Sequence, residues 1–264
     1  MTQSSQPTLD QVIAWAKSAG EIVRARFDDE HTIGYKGEVD VVTESDKKSE
    51  DYLLAQIGSN FPHHAILTEE SGAHAGENEH LWIIDPLDGT VNYSHRLPIY
   101  SISIAYQYHG QLQLGVVYDP SLNECFSAER GKGAYLNGKK ISVSGATEMI
   151  KTLMVTGFPY DRSSDIYTHA MRLFDRITSL NQGVHRLGSA ALDLCYVACG
   201  RLDAYWELSI HPWDIAAAAL IAQEAGGMVS DIHGKPEFMK EPYAIIGSTP
   251  GVFKQLLDEL EKTA

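Results

Sequence analysis

Residues 81–92 read Leu-Trp-Ile-Ile-Asp-Pro-Leu-Asp-Gly-Thr-Val-Asn, and the rest of the chain is arranged around them. The four apolar residues 81–84 form a run too short for a helix, which predicts a buried strand with Asp85 at its carboxyl end. Pro86 cannot donate a hydrogen bond to a neighbouring strand, so we expect the strand to stop there. An acid at the end of a buried strand seldom serves packing, which makes Asp85 a candidate functional residue.

Asp88, Gly89 and Thr90 predict a turn that opens a short helix directly after this strand. Two carboxylates, Asp85 and Asp88, would then stand three residues apart beside a helix start. Carboxylates attract a hard divalent cation and backbone N–H groups at a helix start attract phosphate, so the motif favours a metal-bound phosphate ester. Asp-Gly is also a common plain turn, and this alternative stays open on the motif alone.

A covalent mechanism is a second alternative for the same motif. The haloacid-dehalogenase phosphatases place an Asp-x-Asp-Gly-Thr loop after an apolar strand and use its first Asp as a nucleophile. Here Pro86 stands two residues before Asp88, so that nucleophile is missing. The remaining possibility is a metal-assisted attack by water, which requires further acids elsewhere in the chain.

The 264 residues, 44% of them hydrophobic, are enough for one large domain or two small ones. The first part of the chain predicts two helices packed on a sheet of several strands, and helix and strand alternate after about residue 145. No flexible linker separates the two parts. We therefore predict two subdomains, 1–145 and 146–264, that share an interface in one compact unit.

Charge and composition restrict the partners. Thirty-five acids against 21 bases give a formal charge of −14, and without a dense Lys/Arg cluster this argues against nucleic acid as a direct partner and favours cations. No apolar segment approaches the length of a membrane span and the first residues lack signal-peptide features, so we expect a cytoplasmic protein with no membrane partner. The three cysteines show neither a disulfide set nor zinc spacing.

A second short apolar strand, 65–68, also ends in an acid, Glu69. If this strand and 81–84 are neighbours with aligned ends, Glu69, Asp85 and Asp88 converge on one place. The primary structure does not establish that pairing.

Two more acids stand at predicted helix starts, and a third ends a strand. Asp46 follows Thr43 by three residues, which is typical of a capped helix N-terminus, and Asp214 falls in the first turn of the helix after Pro212. Each could be a plain acid stabilised by the helix dipole. Glu207 ends the predicted strand 202–206.

The remaining elements follow from hydrophobic periodicity. Helices are expected over 9–27, from Thr43 to about 60, and over 166–180, 190–199, 215–225 and 252–262. Strands are expected over 100–108, 111–118, 125–128, 133–136, 153–156, 185–187, 202–206, 227–230 and 244–246. The polar segment 72–80 is expected to be a loop in which His74 and His80 are solvated.

Several motifs occur together in a fixed order. They are Lys36 with Asp40-Val-Val-Thr43 and Asp46, Glu69-Glu70-Ser71, Trp82-Ile-Ile-Asp85-Pro-Leu-Asp88-Gly89-Thr90-Val-Asn92, Trp213-Asp214-Ile-Ala-Ala and Glu224-Ala-Gly-Gly227. In this combination the chain closely resembles the inositol monophosphatase family over essentially its whole length. The resemblance implies a layered α/β fold, the five-layer α/β/α/β/α sandwich of the sugar phosphatases, with magnesium dependence, lithium sensitivity and a homodimer.

The resemblance also implies a set of metal ligands. One magnesium ion would be held by Glu69, Asp85 and the carbonyl of Leu87. A second would be held by Asp85, Asp88 and Asp214, and a third, weaker ion would use Glu69. Manganese could replace magnesium at these oxygen ligands.

Catalytic and substrate roles follow from the same resemblance. Thr90, helped by Asp46 and with Glu69 nearby, would orient and deprotonate the attacking water, and Lys36 would support the third-metal region. The residues expected to contact the substrate are Asp88, Gly89, Thr90, Gly188, Ser189, Ala190 and Glu207. Within this set, the N–H groups of Gly89 and Thr90 would hold the phosphate.

The resulting hypothesis is a magnesium-dependent phosphatase of small polyol phosphates, with myo-inositol monophosphate as the first choice. A carboxylate at Glu207 favours inositol because it can accept hydrogen bonds from ring hydroxyls. Related folds hydrolyse fructose 1,6-bisphosphate, histidinol phosphate or 3'-phosphoadenylates with nearly the same metal ligands, so these substrates remain alternatives. A regulatory interaction protein on the same fold is the alternative from another class.

Overall fold

A computed structural model describes residues 6–29, 34–35 and 41–263 of the protein. Lys36, which the resemblance places near the site, lies outside the described residues, as does Asp40. None of the helices in these ranges is both long enough and apolar enough to cross a lipid bilayer.

The described residues contain helices α1 Leu9–Arg24, α2 Glu44–Asn60, α3 Thr90–Ser94, α4 Asp165–Thr178, α5 Ala190–Ala198, α6 Pro212–Glu224 and α7 Pro250–Thr263, with a 3-10 turn at Met149–Lys151. The strands are β1 Gly34–Tyr35, β2 Val41–Val42, β3 His64–Thr68, β4 Gly72–His74, β5 Glu77–Asp88, β6 Ser101–Tyr108, β7 Gln111–Asp119, β8 Glu124–Glu129, β9 Ala134–Leu136, β10 Lys139–Lys140, β11 Leu153–Thr156, β12 Gly183–His185, β13 Ala204–Glu207, β14 Met228–Ser230 and β15 Ile245–Ser248.

Two sheets dominate the architecture. The larger has eight strands in the order β10-β9-β8-β7-β6-β5-β3-β4, and the smaller has five in the order β12-β11-β13-β15-β14. Helices α1 and α2 pack on one face of the larger sheet, α5 and α6 lie between the sheets, and α4 and α7 cover the smaller sheet. The predicted α/β/α/β/α sandwich is therefore confirmed.

The central helix layer joins the two halves of the chain. Helix α6 is buried almost all round, as an Ala-rich helix between two sheets must be, and it packs against β5, β6, β7 and β8 as well as β14. The hydrophobic cluster around this helix layer includes residues of both sheets, such as Ile83 in β5 and Ile245 in β15. The last strand of the larger sheet ends at Lys140, and the first strand of the smaller sheet begins at Leu153. The proposed boundary at residue 145 falls between them. Because the two halves share a core, their division into two subdomains stays a proposal.

Strands β3 and β5 bring the first acids together. They are parallel neighbours in the register Thr68 opposite Ile84, so the pairing assumed from the sequence is confirmed. The amide of Glu69 continues the ladder by donating to the carbonyl oxygen of Ile84, 3.3 Å away. The carboxyl ends of the two strands therefore deliver Glu69 and Asp85 to the same edge of the sheet.

The prediction that Pro86 ends the strand is wrong. Strand β5 continues to Asp88, and its pairing with β6 changes register between Asp85, opposite Ser103, and Asp88, opposite Ser101. Asp85 and Asp88 are three positions apart in β5, whereas the serines opposite them are two positions apart in β6. Strand β5 therefore carries one extra residue. Side chains three apart in a regular strand point to opposite faces, and a bulge of one residue turns both acids to the same face.

The prediction of a solvated loop over 72–80 is also wrong. Residues Gly72–His74 form β4, and β5 begins at Glu77. His80 is buried: its ring stacks on His64 with centroids 4.1 Å apart, and its Nδ1 lies 2.7 Å from the hydroxyl of Tyr106. Polar residues are buried where they find partners, and local polarity alone therefore misplaced this segment. His74 is exposed as expected, although it lies in β4.

Candidate active site

Three carboxylates from distant parts of the chain form one cluster. Asp85 and Asp88 come from the bulged end of β5 and Asp214 from the first turn of α6, and their ligand oxygens lie within 4.8 Å of one another. Glu69 follows β3 at the same edge and lines the same cleft. The structure thus brings together the four carboxylates that the resemblance assigns to metal.

The environment of Asp85 is almost entirely acidic. Its Oδ1 accepts one hydrogen bond, 2.9 Å long, from the amide of Leu87. Burial first, and then the charges of Glu69, Asp88 and Asp214, raise the pKa of Asp85 well above its usual range. A carboxylate in this position needs a positive charge beside it, because repulsion and lost hydration both oppose its ionisation.

Asp88 has a different environment because it is attached to α5. Its Oδ2 accepts hydrogen bonds from the hydroxyl of Ser189 at 2.5 Å, the amide of Ala191 at 3.0 Å and the hydroxyl of Ser101 at 3.2 Å. Its Oδ1 accepts a longer bond from the amide of Ala190, 3.3 Å away. Burial raises the pKa of Asp88 to about 6, against the opposing effect of Ser189 and Ala191. Asp88 therefore links the larger sheet to the start of the helix between the sheets.

Asp214 is both a helix cap and a member of the cluster. Its Oδ2 accepts a 2.9 Å bond from the amide of His211, the residue before α6. This capping role is the plain alternative considered from the sequence, and it coexists with the cluster. Burial, followed by the charges of Asp88 and Glu69, raises the pKa of Asp214 well above its usual range.

Asp46 and Thr90 form a pair beside the cluster. The hydroxyl of Thr90 lies 2.8 Å from Oδ1 of Asp46 and 2.8 Å from the carbonyl oxygen of Leu87, and it can donate to either. The amide and hydroxyl of Thr43 both donate to Oδ2 of Asp46, at 2.8 and 2.5 Å, in the capping box of α2. Burial raises the pKa of Asp46 to about 6, although the bonds from Thr43 and Thr90 lower it. Asp46 thus caps α2 and also binds Thr90, which follows Asp88 by two residues.

The cluster opens into a cleft of about 460 Å³ between the two sheets. Every substrate residue expected from the resemblance lines it: Asp88, Gly89, Thr90, Gly188, Ser189, Ala190 and Glu207. Gly89 has a positive φ of 90°, and a Cβ there would lie 2.9 Å from the carbonyl oxygen of Ile99. Only glycine fits this turn without strain.

Glu207 lies on the far wall of the cleft, at the end of β13. Its Oε2 accepts a 2.7 Å hydrogen bond from the hydroxyl of Tyr205. Burial raises the pKa of Glu207 to about 7, and the Tyr205 bond and the charge of Arg186 oppose that rise. Gly157 follows the neighbouring strand β11, and a Cβ at this position would lie 2.0 Å from Oε2 of Glu207. Gly157 therefore leaves the space that the carboxylate occupies.

Sequence reasoning missed several residues of the cleft. Ser101 was predicted only as part of a strand, and Asp193 and Arg186 were not selected at all. Asp193 lies on α5, where the sequence Ala-Ala-Leu-Asp-Leu-Cys indicates only a buried helix. One charged residue in such an apolar helix was the available signal, since acids are almost never fully buried without a function or a partner.

The cluster has the properties of a site for a hard cation. All of its donors are oxygens, the choice of magnesium and manganese, and the oxygens are close enough to share one ion or two. Asp85, Asp88 and Asp214 would hold the metal, with Glu69 and the carbonyl of Leu87 beside them. A bound cation would also offset the burial and the mutual repulsion that raise the pKa values of these acids.

Comparisons with known proteins agree with this geometry. The family model described as the inositol monophosphatase family matches residues 4–263. The Nus factor SuhB of Pseudomonas aeruginosa is 41% identical over 97% of this chain and 96% of its own length, and the inositol-1-monophosphatase of Mesorhizobium japonicum is 37% identical over 91% of each.

A solved structure extends the likeness to three dimensions. The inositol monophosphatase of Anabaena (Nostoc) sp. PCC 7120 superposes with a TM-score of 0.87 at 40% identity, covering 96% of this chain and 95% of that one. The superposition covers almost the whole chain, as the family match over residues 4–263 also does. On this combined ground the chain belongs to the inositol monophosphatase family.

Proposed function

We propose that this protein is a magnesium-dependent phosphatase that hydrolyses the phosphate monoester of a small polyol, with myo-inositol monophosphate as its best substrate. The observation that carries the proposal is the cluster of Asp85, Asp88 and Asp214, two of them buried and the third half-buried, which opens into the same cleft as Glu207. A pure scaffold has no need for three crowded carboxylates of which two are buried, because they weaken the fold. Membership of a family with phosphatase relatives supports the same reading.

The two ends of the cleft would bind the two parts of the substrate. Bound magnesium would neutralise the phosphate and lower the pKa of the attacking water. The backbone at Gly89 and Thr90, on the cleft wall, would bind the phosphate oxygens, and Glu207 would accept hydrogen bonds from the alcohol.

The Asp46–Thr90 pair would position the water. When Thr90 donates its hydroxyl hydrogen to Oδ1 of Asp46, the lone pairs of its Oγ1 are left to accept a hydrogen bond from the water. Glu69, at the same edge of the sheet, would take the proton that the water releases. The ionised carboxylate of Asp46 thus sets the direction of the Thr90 hydroxyl.

The test is phosphate release from a panel of monoesters by the purified protein with magnesium. The panel contains myo-inositol 1-phosphate, fructose 1,6-bisphosphate, histidinol phosphate, a 3'-phosphoadenylate and glycerol 2-phosphate. We expect the highest kcat/KM for the inositol ester. Asp85→Asn, purified in parallel, controls for contaminating phosphatase, and a panel hydrolysed equally by parent and variant would contradict the proposal.

A second candidate is a regulatory role, which the name Nus factor SuhB of the 41% identical relative favours. Such a role would use the outer surface and would not need the acidic cluster. In cells that lack this gene, Asp85→Asn would then restore any transcription defect as fully as the parent does. Failure of Asp85→Asn to restore it, with normal protein levels, would assign the phenotype to the phosphatase.

A further inference from the structure

Glu50 is a buried acid of α2 to which neither the motif nor the resemblance assigns a role. It lies one helical turn after Asp46 and on the same face, because residues four positions apart in a helix are neighbours. Its side chain is 6% exposed, and within the described part of the chain it is not one of the residues that line the cleft. Acids are almost never buried unless they are paired, so the partners of Glu50 indicate what it does.

The partners of Glu50 are two groups of one residue, Ser71. The amide of Ser71 donates to Oε1 of Glu50 over 3.1 Å, and the hydroxyl of Ser71 donates to the same oxygen over 3.0 Å. Nε2 of His74 lies 2.6 Å from the hydroxyl oxygen of Ser71 and can donate to it. A chain of hydrogen bonds thus runs from β4 through Ser71 to α2.

Ser71 ends the loop that carries Glu69. Thr68 of β3 is paired with Gly72 of β4 in an antiparallel ladder, so residues 69–71 form a three-residue hairpin loop. Strand β4 is the outermost strand of the larger sheet. The loop with Glu69 therefore lies at an edge of the sheet, where neighbouring strands give it support from one side only.

Both ends of this loop are attached to neighbouring elements. At its start, the amide of Glu69 donates to the carbonyl oxygen of Ile84 in β5. At its end, Ser71 is bound to Glu50 of α2 through two hydrogen bonds. A binding site works only if its side chains are held to within about 0.5 Å, and hydrogen bonds behind them provide that restraint. Glu50 supplies such a restraint for the loop of Glu69.

The residue before Glu50 acts on the other strand in the same way. The hydroxyl of Ser49 donates to the carbonyl oxygen of Pro86 over 2.7 Å, within the bulge between Asp85 and Asp88. Ser49 is fully buried. One face of α2 therefore binds both chain segments that carry the acids at the ends of β3 and β5.

Resting on the proposed metal-dependent phosphatase function, we propose that Glu50 is a positioning residue of the magnesium site. It holds the loop 69–71 so that the carboxylate of Glu69 can share a metal ion with Asp85. Glu50 touches neither the metal nor the substrate and acts through Ser71. Hydrogen-bonding partners that stand behind metal ligands typically change metal affinity by about 10- to 100-fold when they are removed.

The test measures magnesium binding to the metal-free protein by calorimetry, without substrate. Glu50→Ala removes the acceptor of both Ser71 donors, so the Kd for magnesium should rise by about 10-fold or more. The magnesium concentration that gives half-maximal phosphatase activity should rise with it. Glu50→Gln keeps an acceptor oxygen for Ser71, and its Kd should stay within about threefold of that of the parent.

Asp119→Ala is the matched control for lost stability. One oxygen of Asp119 also accepts two hydrogen bonds from a turn, from the amides of Ser121 at 2.8 Å and Leu122 at 3.0 Å. Asp119 is fully buried and, within the described ranges, is not among the residues that line the cleft. Asp119→Ala should lower Tm, as Glu50→Ala does, and should leave the Kd for magnesium unchanged.

A double-mutant cycle tests whether Glu50 acts through Ser71. Ser71→Ala removes the hydroxyl and keeps the amide donor, so its Kd for magnesium should rise less than that of Glu50→Ala. The double variant should bind magnesium about as weakly as Glu50→Ala alone, because both changes affect one interaction. Losses of affinity that multiply in the double variant would refute the route through Ser71.

The outcomes separate this proposal from the proposed function. If the parent binds magnesium and hydrolyses the inositol ester, the positioning role is refuted when Glu50→Ala binds magnesium as tightly as the parent, or when Glu50→Gln binds it as weakly as Glu50→Ala. The phosphatase then still stands. If the parent binds no magnesium, the proposed function fails and the role of Glu50 fails with it. If Glu50→Ala does not fold, Ser71→Ala decides, and an unchanged Kd refutes the proposal.

Discussion

The hydroxyl of Thr90 lies 2.8 Å from Oδ1 of Asp46, and this contact joins the first residue of α3 to the first turn of α2. Thr43 supplies two further donors to the other carboxylate oxygen, so the side chain of Asp46 is fixed from both sides. A residue that caps a helix in this way can orient a hydroxyl in the cleft with little freedom to move. The pair therefore connects the stability of α2 with the chemistry of the site.

The first prediction concerns the pH dependence of activity. The pKa of Asp46 is raised to about 6 by burial, so the carboxyl group is protonated below this pH and ionised above it. Since the ionised carboxylate is a stronger acceptor for the Thr90 hydroxyl than the protonated one, kcat should fall as the pH drops through about 6. Asp46→Asn should lower kcat by about 10-fold or more at pH 7.5 and lose this acid limb.

A double-mutant cycle checks this interpretation. Thr90→Val should cost as much activity as Asp46→Asn, and the double variant should be little worse than either, because both remove one interaction. Thr90→Ser keeps the hydroxyl and serves as the control. Additive losses in the double variant would show that Asp46 and Thr90 act independently.

The second prediction contrasts Asp85 and Asp88 in the metal-free protein. Two ionised carboxylates about 5 Å apart repel each other by about 3 kcal/mol at an effective dielectric near 20. Asp85→Asn removes such repulsion and keeps an acceptor oxygen for the amide of Leu87, so at pH 8 its Tm should equal or exceed that of the parent. Asp88→Asn must serve four donors with one acceptor oxygen, and should lose about 1–3 kcal/mol of stability.

Both variants should lose phosphatase activity, and both should gain less stability from added magnesium than the parent, because stabilisation follows affinity for the folded state. Differential scanning fluorimetry with and without magnesium measures these quantities. An Asp85→Asn protein that is active, or that melts well below the parent without metal, contradicts the assignment of Asp85 as a metal ligand.

The third prediction concerns metal removal. The candidate ligands are all oxygens, so activity should vanish in excess chelator and return with magnesium or manganese. The same additions should lower and then restore Tm. Retention of full activity in chelator would rule out a metal-dependent reaction at this cluster.

The fourth prediction links Glu207 to stability. Burial raises its pKa from the usual 4.5 to about 7, so the folded protein holds this proton to a higher pH than the unfolded chain does. The stability contributed by that proton is fully present below pH 4.5 and is lost as the pH rises through about 7. The difference corresponds to about 3 kcal/mol.

Glu207→Gln removes this titration. As the pH rises from 4.5 to 7.5, its free energy of unfolding, measured in urea, should increase relative to that of the parent, because only the parent loses the contribution of this proton. Its turnover of the inositol ester should fall more than that of glycerol 2-phosphate. Parallel stability curves across this range would show that Glu207 has an ordinary pKa in the folded state. Equal losses on the two esters would show that it does not contact the inositol ring.

Much of the fold was predictable because the strands are apolar and the turns carry distinctive residues. The approach of Glu69 to Asp85 followed from two short strands that both end in acids, and the register of β3 and β5 confirms it. The face of the sheet on which Asp88 lies was not predictable, because the bulge in β5 is defined only by the pairing of β5 with β6. His80 was misplaced because its partners, His64 and Tyr106, come from other strands.

The distant members of the site were harder to place. Asp214 lies far along the chain from Asp85, and no local sequence pattern indicates that the two side chains are close in space. Only the resemblance assigned Asp214 to the cluster. Asp193 was missed because it forms no motif, and only the folded structure shows that its Oδ1 is buried without a hydrogen-bond partner among the described residues.

The hydrogen bonds that Asp88 accepts from Ser189, Ala190 and Ala191 also determine when the site can form during synthesis of the chain. A chain that has left the ribosome only as far as residue 145 can pair β5 with β3 and β6, but of the four donors to Asp88 only Ser101 has then been translated. Asp214 and the helix that presents it follow later still. The nascent N-terminal half should therefore hold magnesium weakly and release no phosphate, so both properties would arise together when α6 docks between the sheets.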